Sequence, residues 1–136
     1  KAGTSIDYSI DAMADTVENF QLGVDEETLY TSLNEMKFGA GYTLTLNVSS
    51  ALINSNQFAY SINDGYTWNK FNGSTITLQN VNRIQFKNDQ TYYELRVGSV
   101  SSGSDLGIIG PKSTSNNYIV NSDTTYYLSV IAGGAN

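Results

Sequence analysis

Residues 57–87 read QFAYSINDGYTWNKFNGSTITLQNVNRIQFK, and this stretch leaves room for little besides antiparallel sheet. Phe58, Tyr60 and Ile62 alternate with Ala59, Ser61 and Asn63, the period of a half-buried strand. Asn63-Asp64-Gly65 interrupts the pattern, and Tyr66-Thr67-Trp68-Asn69-Lys70-Phe71 resumes it. Asp-Gly between two alternating runs is the strongest short-range hairpin signal, because a type I′ turn needs positive φ at both central residues. A second turn, Asn72-Gly73-Ser74, leads into Thr75-Ile76-Thr77-Leu78, and a third, Gln79-Asn80, into a strand from Val81 to Lys87. In that last strand Ile84 and Phe86 face one way, and Arg83, Gln85 and Lys87 the other. Short strands joined by tight turns predict a sandwich or a barrel.

The flanking sequence extends the pattern. Tyr42 to Val48 alternates cleanly, with Leu44, Leu46 and Val48 on one face. Tyr93, Leu95 and Val97 share a face that opposes Tyr92, Glu94 and Arg96, and Tyr126, Leu128 and Val130 do the same in the closing run. Residues 98–110 read as a long polar loop around the apolar piece Leu106-Gly107-Ile108-Ile109. The expected strands are 42–48, 57–62, 66–71, 75–78, 81–87, 91–97, 117–120 and 124–132. The fold class expected is mainly β: an antiparallel β-sandwich of immunoglobulin-like or jelly-roll type over residues 39–136, ending in a linker-like Gly133-Gly134-Ala135-Asn136. The Cys…Trp…Cys spacing of a true immunoglobulin domain is absent.

Residues 1–38 differ in kind. Ile6, Ile10, Met13, Val17 and Phe20 recur at helical spacing behind a Thr4-Ser5 cap, and Leu29, Leu33 and Met36 do so behind Asp25-Glu26-Glu27. A strand reading competes over residues 6–10, where Tyr8 fits it, and over residues 28–31. This piece is strongly acidic, with eight carboxylates against Lys1 before residue 37, while the rest holds five acids and six bases. The domain division expected is therefore an acidic, partly helical arm followed by a nearly neutral body. A stripe of this kind must be buried against something, so Ile6, Ile10, Met13, Val17, Phe20, Leu29 and Leu33 are the candidate partner-binding residues of the arm. The acidity also fits an ordinary solvated helix face.

Composition narrows the function by exclusion. A formal net charge of −6 with scattered Lys and Arg gives no basic stripe, so nucleic acid is not an expected partner. No apolar run approaches the ~18 residues that span a bilayer, and no membrane partner is expected. The chain opens on Lys1 rather than Met, as expected where a preceding piece has been removed or left out. There is no His and no Cys, which removes Ser-His-Asp and Cys-His nucleophile systems and nearly all zinc sites. No catalytic residue, cofactor or metal is therefore expected. Asp64, Asp89 and Asp123 fall in turns, where Asp serves geometry, and nothing pairs two carboxylates across a cleft as glycoside hydrolysis requires. Ser104-Asp105 and Asn121-Ser122-Asp123 are the weak calcium candidates, with ordinary turns as the plainer reading.

Aromatic side chains remain. If Phe71 is core, Tyr66 and Trp68 point outward, where rings can stack on a sugar or a partner; if Trp68 is core, that site vanishes. Tyr92 and Tyr127 each lie beside a core-facing tyrosine (Tyr93, Tyr126) and are candidates for an exposed contact patch.

Residues 60–68, YSINDGYTW, followed by residues 76–87, ITLQNVNRIQFK, resemble small β-sandwich modules in accessory virion proteins of tailed bacteriophages. There a strand, an Asn/Asp-Gly turn, Thr-Trp and a Lys-terminated strand recur; similar hairpins occur in bacterial surface and sugar-binding modules. The resemblance implies a non-enzymatic, multi-copy structural part of a capsid or tail, a decoration, cement or fibre-associated protein, and it implies no catalytic residues. The expected partners are proteins of a larger assembly, with a homo-oligomer foremost, and the expected location is the virion or the cell exterior. The alternative is a carbohydrate-binding or adhesin module.

Overall fold

The computed structural model describes residues 39–132. The chain divides into two units, Lys1–Gly39 and Ala40–Asn136. The stripes expected at Ile6, Ile10, Met13, Val17, Phe20, Leu29 and Leu33 lie outside the described residues, as does the tail 133–136.

Alternating residues make the strands, and burial follows the alternation. In β1 (Tyr42–Val48) Leu44, Leu46 and Val48 are buried while Thr43, Thr45 and Asn47 are not. The others are β2 (Phe58–Ser61), β3 (Thr75–Val81), β4 (Arg83–Asn88), β5 (Tyr93–Gly98), β6 (Gly107–Ile109), β7 (Ser113–Thr114), β8 (Tyr118–Ile119) and β9 (Thr124–Ala132). They form a larger sheet in the order β3-β1-β9-β5-β6 and a smaller one in the order β2-β4-β7, with β8 also on β4. The two sheets pack face to face as a β-sandwich. Pairing is antiparallel except between the first and last strands, β1 and β9, which run parallel with Leu46 beside Tyr126.

The core joins Leu44, Leu46, Leu95, Val97 and Leu128 of the larger sheet to Phe58, Tyr60, Ile84 and Phe86 of the smaller. An aromatic line crosses it. Tyr60 meets Phe71 at 5.3 Å between ring centroids, Phe71 meets Phe86 at 6.4 Å, Phe86 meets Tyr118 at 5.4 Å, and Tyr118 meets Tyr126 at 6.0 Å. Burying each such ring stabilises the fold by ~1.5–3 kcal/mol before packing geometry adds to it. Asn88, fully buried at the end of β4, ties the two sheets together. Its amide nitrogen donates to the Tyr93 carbonyl at 2.7 Å and to the Ile109 carbonyl at 3.0 Å, and its oxygen accepts from the Gln90 N–H at 2.9 Å.

The Asp-Gly turn forms as expected. Tyr66 N–H donates to the Asn63 carbonyl at 3.1 Å, and Asp64 and Gly65 have φ of 61° and 84°, the two positive values of a type I′ turn. The strand expected over 66–71 does not form. Only Asn69 pairs, exchanging two 2.9 Å bonds with Tyr60. Side-chain bonds explain the departure. Asn63 Oδ1 accepts from Thr67 N–H at 3.0 Å, its Nδ2 donates to Thr67 Oγ1 at 2.9 Å, and Ser61 Oγ accepts from Gly65 N–H at 2.8 Å. These bonds fold the chain over the turn instead of letting it run back along β2.

The turn expected at Gln79-Asn80 is also displaced. β3 continues through Val81, and Asn82 alone carries the chain from the larger sheet to the smaller. Asn80, at φ 58°, sits where the β1–β3 register shifts. Gly41 makes that close approach possible, since a Cβ there would lie 2.4 Å from the backbone of Asn80 and Val81. The polar loop expected over 98–110 contains β6, which pairs Ile109 with Leu95 and Ile108 with Arg96.

Candidate functional site

Phe71 is fully buried, the condition under which Tyr66 and Trp68 are expected to point outward. Tyr66 is 45% exposed and Trp68 half-buried. Trp68 is already engaged, because the Lys87 ammonium lies 4.5 Å from its ring centroid, a cation–π contact. Lys87 follows Gln85 on the face of β4 opposite Phe86, and a Cβ on Gly65 would sit 3.4 Å from Trp68 Cζ2 and 3.7 Å from Gln85 Oε1. The indole is thus wedged between turn and strand. Of this pair Tyr66 is the more exposed ring.

Arg83, expected on the face of β4 that carries Gln85 and Lys87, is 6% exposed. Its Nε donates to Asp64 Oδ1 at 2.7 Å and its Nη2 to Asp64 Oδ2 at 2.5 Å, a two-pronged pair of the kind that carboxylate and guanidinium geometry favours. Nη1 also donates to Asn82 Oδ1, and Asn117 Nδ2 donates to Asp64 Oδ1 at 3.1 Å. One carboxylate therefore joins the turn, β4 and the segment before β8. Other acids are likewise tied down. Asp105 accepts from Ser99 Oγ at 2.7 Å and Ser99 N–H at 2.8 Å, and these two bonds, the hydroxyl's first, hold its carboxyl below the ordinary range. Asp123 accepts from Thr43 N–H at 3.0 Å. Among the described residues no group of three acidic, His or Cys side chains gathers as metal ligands would.

The Tyr92–Tyr127 patch does not assemble. Tyr127 pairs with Gly98 and Tyr93 with Ala132. Tyr92, just before β5, therefore lies roughly 20 Å along the sheet from Tyr127 at the usual rise per residue. Tyr93, the first residue of β5, is 42% exposed rather than buried in the core. Tyr126 is buried as expected. Tyr127 lines a groove of about 300 Å³ with Asn47, Ser49, Ser74, Ser101 and Ser102. Val48 and Leu128 complete a lining that carries no charge.

A wider groove of about 520 Å³ opens between residues 106–108 and residues 114–118, where β6 ends the larger sheet and the β7–β8 segment borders the smaller. Tyr118 forms its floor, with its hydroxyl lying directly over Gly107. Burial, and secondarily the neighbouring Tyr126, raises the ionisation of Tyr118 above the ordinary tyrosine value. Leu106 and Ile108 of its lining stand exposed, at 40% and 51%. The available signal was the apolar piece 106–109 inside a polar loop, but pairing to β5 reverses its meaning: Ile109 goes in and Ile108 out. The chain matches no protein-family model, no curated protein and no solved structure.

Proposed function

We propose that this chain is a non-enzymatic contact module that works in many copies on the outside of a larger assembly, as a virion accessory protein of the capsid-decoration, cement or fibre-associated kind. The observation that carries the reading is the open side of the sandwich. Two sheet edges stop there around a 520 Å³ groove, and Leu106 and Ile108 of its lining present apolar surface to solvent. An apolar patch rimmed by Asn, Ser and Thr is the composition of a protein contact. The carboxylates Asp64, Asp105 and Asp123 serve internal bonds, which suits a module whose polar groups build structure. In this reading the arm, through Ile6, Ile10, Met13, Val17, Phe20, Leu29 and Leu33, supplies the docking stripe, each buried side chain contributing ~1.5–3 kcal/mol.

The test is direct. Particles released by the producing cells are purified and probed with gold-labelled antibody to the chain, and the copy number is measured by mass spectrometry. Regular surface labelling at many copies per particle is expected, lost when Ile10 and Val17 are both changed to Asp. Absence of the chain from particles refutes the assignment. A carbohydrate-binding role has one specific observation in its favour, the Tyr127 groove lined by Asn47 and four serines. Binding on a glycan array that disappears in Tyr127→Ala would favour that second reading.

A further inference from the structure

The edges of the two sheets are not equally protected. β2 is shielded by Asn69, which pairs with Tyr60, and β6, β7 and β8 are two or three residues long. β3 is different. It runs seven residues, Thr75–Val81, as the outer strand of the larger sheet among the described residues, and it holds no charge and no proline. Exposed edges ordinarily carry a Lys, a Pro or an inward charge that stops another strand from adding on.

Its backbone polarity follows from the register. Val48 N–H donates to the Ser74 carbonyl at 2.9 Å, and β1 pairs with β3 as Leu46↔Ile76 and Leu44↔Leu78. Hydrogen-bonded and non-bonded pairs alternate in an antiparallel ladder. Ser74, Ile76 and Leu78 therefore turn their backbone groups toward β1, and Thr75, Thr77 and Gln79 turn theirs outward. The side chains of these three lie exposed on the outer face of the sheet, while Ile76 is buried and Leu78 half-buried on the inner face.

We propose that β3 is a self-association edge: a second copy of this chain pairs with it, β3 antiparallel to β3, about a two-fold axis through Thr77. This names the partner within the contact-module reading above and rests on it. The choice of occupant comes from the strand itself. Centred on Thr77, the sequence Thr75-Ile76-Thr77-Leu78-Gln79 is its own complement. Thr77 meets Thr77 of the second copy, Thr75 meets its Gln79, and each of these pairings exchanges two backbone bonds. On the inner face Ile76 meets Leu78 of the second copy and covers the half of Leu78 left open in one copy. No like charges oppose each other, because the strand has none. Asn80, with its left-handed backbone at the register shift, ends the pairable run at Gln79. The two larger sheets become one continuous sheet, with the grooves beside β6 at its two far ends.

The full chain tests this by sedimentation velocity over a concentration series, with amide exchange read by NMR. Expected are a monomer–dimer equilibrium and slowed exchange of the Thr75, Thr77 and Gln79 amides in the dimer. Thr77→Lys should raise the dimer dissociation constant by about tenfold or more by placing two ammonium groups across the axis. Thr77→Val should leave it intact. Circular dichroism checks that Thr77→Lys is folded; should it not be, Thr75→Lys places a charge at the next outward position. A chain monomeric at every concentration overturns the proposal. A dimer that survives both lysine variants overturns it too, by placing the contact elsewhere, and that result leaves the contact-module reading standing.

Discussion

Gly107 is where one methyl group tests the packing of the whole sandwich. A Cβ built on Gly107 lies 1.9 Å from the Tyr118 hydroxyl oxygen and 3.0 Å from its Cζ. Tyr118 cannot simply swing away, because its ring is held edge-on against Phe86 at 5.4 Å and against Tyr126 at 6.0 Å. Gly107 is pinned as well, opposite Val97 in the β5–β6 ladder. Gly107→Ala must therefore push the ring off its neighbours or lift β6 from β5. Overpacking of this kind costs ~1–3 kcal/mol. For a domain of this size each kcal/mol lowers Tm by about 4–8 °C. Tyr118→Phe removes the oxygen responsible for the 1.9 Å approach and by itself should cost under ~1 kcal/mol. In the double variant the tightest remaining contact is the 3.0 Å one, which a shift of a few tenths of an ångström relieves, so most of the lost stability should return. The coupling expected between the two sites is ~1–2 kcal/mol. Urea unfolding followed by the single tryptophan, Trp68, measures all four proteins. A Gly107→Ala variant as stable as the parent would refute the reasoning, and so would a double variant no better than that single one.

Two further predictions rest on buried polar groups. Asp64→Asn removes the carboxylate from a guanidinium whose side chain is 7% exposed, while Asp64 itself is 38% exposed. That water access moderates the loss, so ~1–3 kcal/mol is expected, part of it regained when Arg83→Met is added because no charge then stays buried. A change below ~0.5 kcal/mol in urea midpoints would show that the pair is solvated. Burial raises Tyr60, Tyr118 and Tyr126 above the ordinary tyrosine value of about 10. Above that pH the unfolded chain loses phenol protons that the folded chain keeps. The stabilisation is thus complete below about pH 10 and is lost as pH rises through the folded-state values. Urea midpoints should fall there, and less steeply in Tyr118→Phe; a flat profile would contradict the burial of these hydroxyls.

What was legible in the residues was local, and what was missed was long-range. β1 carries its own evidence, because it alternates over its full length, and β9 does so through Tyr126 and Leu128 before Ser129 breaks the pattern. The turn at Asp64-Gly65 was equally readable, since positive φ is a demand on the residue itself. The run 66–71 looked like a strand by the same alternation and failed, because Asn63 binds Thr67 and the Arg83 guanidinium holds Asp64 from outside the turn. For Arg83 alternation gives the side of the strand but not what lies over that side, the Asp64 carboxylate. β6 was hidden because three residues carry too little pattern, and only register with β5 makes them a strand. The surfaces proposed for contact follow this division. The aromatic candidates came from residue type, and the fold separated Tyr92 from Tyr127 and capped Trp68 with Lys87. The groove beside Tyr118 and the open edge of β3 come from where strands stop, a property of topology that no single segment encodes. Pairing through the β3 edge as proposed, with uncharged Thr and Gln where another sheet would place Lys, depends less on any one side chain than on register. A substitution that shifts the β1–β3 register near Asn80 and Gly41 should therefore disturb self-association even though it lies outside the five paired residues.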